Sequence, residues 1–151
     1  MLALSIRQPY AELILRGVKR IEYRSRATRI IGQRFWIYAS KKKWPVVDGQ
    51  WPMGTAKKIW SDELAVPGPT TGQPPQWLLE LAEELILGKL PTGVIVGSAV
   101  IEKVEEIADF RLPIAGPNRK SIYEWHLADV QRIAHQLNPS GHPQPVWFEP
   151  F

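Results

Sequence analysis

The sequence contains no cysteine. That excludes disulfides, thiolate nucleophiles and thiolate-ligated metals, and it fits a reducing compartment such as the cytoplasm. Long hydrophobic runs are also missing: nothing approaches the roughly 20 apolar residues that cross a bilayer. The stretch from Met1 to Arg7 lacks a basic region followed by an apolar core and a small-residue cleavage site. A cytoplasmic protein with no membrane partner is expected. The histidines, His126, His135 and His142, are only three and widely spaced, with no paired helical motif, so no metal site is expected. No glycine-rich phosphate loop or nucleophile elbow is found, and no cofactor is implied.

What is present fits one domain over residues 1–151 with an ordinary core, at 44% hydrophobic and 23% charged residues. The net charge of +4 conceals a division. Residues 1–45 hold eleven Lys and Arg against two Glu, a net +9, whereas the remainder is net −5. A basic half joined to an acidic one suits a face for polyanions.

Short β patterns outnumber helical ones. Residues 2–7 alternate weakly as a strand, and Gln8-Pro9 opens a helix whose stripe of Tyr10, Leu13 and Ile14 ends at Gly17. In the strand at 20–24, Arg20, Glu22 and Arg24 point to one side and Ile21 and Tyr23 to the other. Arg26 to Arg34 is a basic loop, and Arg34 to Ser40 is an aromatic-rich strand closed by Lys41, Lys42 and Lys43. The Pro- and Gly-rich stretch from Trp44 to Pro75 reads as a variable loop with a helical turn at 55–60. A second helix is expected over 75–88, with Leu78, Leu81, Ala82 and Leu85 inward. Strands follow at 93–107, bent or bulged at Gly97, and at 121–131, separated by a loop at 109–120. A short strand lies within 144–151. These elements predict an α+β fold around a small closed or nearly closed sheet.

Candidate site residues cluster early. Lys19 can contact phosphate or serve as a base, or simply sit in water. Glu22 beside Arg24 can read an exocyclic amine, because a carboxylate accepts where the base donates; it can equally brace the strand. Arg7, Arg16, Arg26, Arg29, Arg34 and Lys41 to Lys43 supply cations for phosphate. Among the interleaved aromatics Tyr10, Trp36, Tyr38 and Trp125, stacking on a base is assigned to Trp125, with Gln8 and Ser40 as polar neighbours.

Leu4-Ser5-Ile6-Arg7-Gln8-Pro9-Tyr10-Ala11 followed by Gly17-Val18-Lys19-Arg20-Ile21-Glu22-Tyr23-Arg24 resembles the signature of the ASCH domain family. The resemblance continues through Trp36 to Lys42, Gly97 to Val100, Tyr123 to Val130 and Pro145 to Trp147. It implies a PUA-like small mixed β-barrel flanked by two or three helices. It also implies a cleft for RNA, other single-stranded nucleic acid or a modified nucleoside. Some small members of the family are amidohydrolases that remove an acyl group from N4-acetylcytidine. Their catalytic lysine falls on Lys19, but their catalytic threonine falls on Glu22, which cannot act in the same way. The resemblance therefore favours a binding module lined by Arg7, Gln8, Tyr10, Lys19, Glu22, Arg24, Ser40, Lys41 and Trp125, with the hydrolase as the alternative.

Overall fold

The structure, a computed structural model, describes residues 1–42, 54–57, 59, 74–108 and 121–151. Among the described residues the bounded elements are β1 (Ala3–Arg7), α1 (Tyr10–Leu15), β2 (Ile21–Arg24), β3 (Arg34–Ser40), α2 (Gln76–Ile86), β4 (Val94–Ala108), β5 (Ser121–Leu137) and β6 (Trp147–Phe148). Residues 54–57 and 59 are helical. Most of the expected loop at 44–75, and all of that at 109–120, lies outside the described residues. Among the described residues no helix is long and apolar enough to cross a membrane.

Helices α1 and α2 stop where glycine allows it. At Gly17 (φ 75°) the amide donates to the Ile14 carbonyl, and the Val18 amide donates to Leu13. At Gly88 (φ 68°) the same pair of bonds reaches Leu85 and, from Lys89, Glu84. Such a reversal satisfies the last carbonyls and needs a left-handed residue. Helix α1 begins at Tyr10, one residue later than the sequence suggests, because Pro9 occupies the capping position. The Gln8 side chain completes the cap: its Oε1 accepts the Glu12 amide at 3.1 Å, and its Nε2 donates to the Pro91 carbonyl at 2.9 Å.

The strands form one mixed sheet in the order β2-β5-β4-β3-β1-β6. β1 runs parallel to β3, and the other pairs are antiparallel. Strand β5 extends well past 131, because its pairing with β4 continues to Leu137. It crosses an irregularity at Asp129 (φ 45°), whose carbonyl and carboxylate both accept from the Arg34 guanidinium. A closed barrel is not formed by hydrogen bonding among the described residues: β2 and β6 end the ladder. A side chain bridges the gap instead. Arg24 Nη2 of β2 donates to the Ser5 carbonyl of β1 at 2.9 Å.

The main core gathers Leu4, Ile6, Ile14, Phe35, Ile37, Ile101 and Trp125 between α1 and the sheet. A second cluster packs Leu13 against Ala56, Ile59, Leu78 and Leu81, so α1 is covered on two sides. Glu12 is buried in this sandwich and accepts from Arg16 Nε (2.9 Å) and Arg132 Nη2 (2.7 Å). Burial pushes its carboxyl upward, but the hydrogen bonds and charges of Arg132 and Arg16 outweigh that and hold it below the ordinary glutamate value. A depressed folded-state pKa contributes stability that is present above about pH 4.5 and is lost as pH falls through the lower folded value. Thermal midpoints measured from pH 6 to pH 3 should therefore fall more steeply for the parent than for Glu12→Gln. Parallel curves would assign the acid sensitivity elsewhere.

Candidate nucleic-acid interface

A cavity of about 600 Å³ opens where the sheet fails to close. Ser5, Ile6 and Arg7 come from β1, and Glu22, Tyr23 and Arg24 from β2. Tyr10, Ser40, Lys42 and Pro145 complete the wall. Strand β1 loses its partner β6 after Leu4, apart from one bond between the Ser5 amide and the Val146 carbonyl. Consecutive stretches of chain thus face each other across the opening, held there by Arg24.

Strand periodicity aims the charges. Glu22 is 8% exposed and accepts from Arg24 Nε at 2.9 Å. Its second oxygen lies 3.4 Å from Lys19 Nζ. Lys19 is 3% exposed and is not among the ten wall residues; its ammonium sits 5.6 Å from the Tyr10 ring centroid and 5.3 Å from that of Tyr23. The lysine therefore stands behind the wall, in contact with three of its members. A cation over aromatic faces is attracted by their quadrupoles and fixes the ring planes. The result is an acceptor carboxylate held from two sides, two tyrosine rings, and the cations of Arg7, Arg24 and Lys42 around one opening.

Several expected residues take other places. Trp125 is 1% exposed, stacked on Trp147 at 5.7 Å, and its indole N–H donates to the Arg26 carbonyl. It belongs to the core rather than the wall, and its ring lies 5.9 Å beneath the Arg24 guanidinium. The reason lies in β5: Trp125 and Leu127 alternate inward while Glu124 and His126 face the other way. Gln8 is consumed by the helix cap. Lys41 runs its stem against Gly93, where a Cβ would come within 2.6 Å of Lys41 Cε, and Lys42 takes its place in the cavity. Arg20 precedes β2 and turns back to the Gly17 carbonyl. Arg16 and Arg34 are engaged by Glu12 and Asp129. Tyr23, placed by alternation away from Glu22, still reaches the opening because β2 is an edge strand; edge position was the signal that alternation alone did not carry. Ser5, Ile6 and Pro145 also line the wall.

Comparison with known proteins decides the family. The ASCH domain family model matches residues 4–135. The chain belongs to the ASCH domain family. Solved structures similar to this ASCH chain include the ASCH protein of Zymomonas mobilis and a serine-to-alanine mutant of it. Each is 15% identical with a TM-score of 0.49, and the match covers 91% of this chain and 72% of the other. No curated protein matches significantly.

Proposed function

We propose that this ASCH protein binds single-stranded RNA, or a modified nucleobase within it, in the cavity between β1 and β2. Family membership supports a nucleic-acid-binding type of function. One observation carries the finer reading: Glu22, braced by Arg24 and Lys19, opens onto the same cavity as the Tyr10 and Tyr23 rings and the Arg7 and Lys42 cations. A flat base with an exocyclic amine fits between ring and carboxylate, and its phosphate meets the cations. The cavity also lies within the size range of small-ligand sites.

Fluorescence anisotropy with a labelled single-stranded RNA tests this. Affinity should fall as salt rises, with a log–log slope near −1.4 if the two cations meet phosphates, since each adds about −0.7. Arg7→Ala and Lys42→Ala should each flatten the slope by about 0.7. Absence of binding at low salt, or slopes untouched by both variants, would sink the proposal.

The second reading, an amidohydrolase acting on N4-acetylcytidine-like nucleosides, draws support from the buried Lys19–Glu22 pair adjoining the cavity. It ranks lower because Lys19 stands behind the wall and Glu22 replaces a hydroxyl. Chromatography of N4-acetylcytidine after incubation with the protein separates the two readings.

A further inference from the structure

On the face of β5 opposite Trp125, three potential ligands converge. Glu105 of β4 is registered directly against Glu124 of β5, and His126 lies two residues further along. His126 Nε2 is 3.4 Å from Glu105 Oε2 and 3.3 Å from Glu124 Oε2. One donor atom from each residue falls within 4.8 Å of the others. Nε2 is itself buried and makes no hydrogen bond, although two carboxylates are within reach. The imidazole side chain as a whole is 20% exposed.

We propose that Glu105, Glu124 and His126 form a binding site for a divalent transition-metal ion of the Zn²⁺ or Mn²⁺ class. Three features carry it. Two donors bound at about 2.0–2.1 Å to one tetrahedral ion stand roughly 3.3–3.4 Å apart, the separation found between the imidazole nitrogen and each carboxylate. Like charges directly opposite on paired strands repel, and a cation between them removes that cost. The buried Nε2 makes no hydrogen bond of good geometry with either neighbouring carboxylate, and an ion held among the three groups would satisfy them together. Glu105 divides its oxygens accordingly: Oε1 accepts from Lys103 at 2.9 Å while Oε2 faces the imidazole. Lys103 thus orients a ligand from outside the site, as carboxylate partners commonly do around metals. One histidine and two carboxylates leave a further coordination position for water. The ligand chemistry, imidazole with carboxylate, suits Zn²⁺ and Mn²⁺ better than Ca²⁺ or Mg²⁺, which favour all-oxygen shells.

The site is independent of the RNA-binding reading. Isothermal titration of untagged protein with ZnCl₂, repeated with MnCl₂ and MgCl₂, tests it. One Zn²⁺ or Mn²⁺ per chain is expected, weakened about tenfold or more in His126→Ala and in the isosteric Glu124→Gln, with Mg²⁺ far weaker. The Nε2 resonance of His126 should shift on adding Zn²⁺. Should His126→Ala fail to fold, Glu124→Gln and the resonance decide. No binding, or equal affinity in parent and variants with ions taken by His135 or His142, would overturn the assignment.

Discussion

Replacing Glu22 with alanine is expected to destabilise the protein by about 3 kcal/mol, the lower end of what breaking a buried ion pair costs. For a chain of this length that lowers the thermal midpoint by roughly 6–12 °C. The carboxylate is nearly enclosed, and its two oxygens serve Lys19 on one side and Arg24 on the other. Its loss takes from the 3% exposed Lys19 ammonium its contact with the carboxylate, while the Tyr10 and Tyr23 rings stay beside it. Arg24 also loses the contact that aims it at Ser5, so the strap across the sheet opening slackens. Calorimetry on Glu22→Ala, Lys19→Met and the double variant carrying both provides the check. Removing both charges should recover part of the loss, because a buried charge deprived of its carboxylate costs more than the missing attraction alone. A single variant that melts with the parent would show that water reaches Lys19.

Gly97→Ala should destabilise the sheet. A Cβ at this position would stand 2.4 Å from Leu15 Cδ2 and 2.5 Å from the Gln131 carbonyl oxygen. The first neighbour can rotate away, but the second is backbone within the β4–β5 ladder. Overpacking of this kind costs about 1–3 kcal/mol. Adding Leu15→Ala should relieve only part of it, since the carbonyl remains. The measurement is the denaturant midpoint of the three variants. Full rescue by the leucine truncation would contradict the geometry around Gln131.

Much of this was legible in the chain itself. Gly17 and Gly88 end helices where their positions after apolar stripes suggest. Gly97 sits at the register shift that a glycine inside an apolar strand announces, because Ile37 pairs with it while Tyr38 skips to Ile95. Alternation placed Glu22 and Arg24 on one face, and their contact confirms it. Other features depend on partners that periodicity does not name. Trp125 and Tyr23 exchange expected roles because one is on an inner strand and the other on the edge. Lys19 precedes its strand, so no alternation rule applies to it, and the two tyrosines draw it inward. The convergence of Glu105, Glu124 and His126 arises from cross-strand register, which is invisible to a reading along the chain. The open sheet is likewise a matter of which edges meet.

The strand order has a kinetic consequence. The two walls of the cavity, β1 and β2, are neighbours in sequence, yet three strands lie between them in the hydrogen-bonded order. Neither wall can find its place from local contacts; β1 waits for a partner roughly thirty residues downstream and β2 for one about a hundred residues downstream. Pairings at such separations make for slow assembly. The pocket should be among the last features to mature, and ligand binding followed in a refolding experiment should lag behind helix formation.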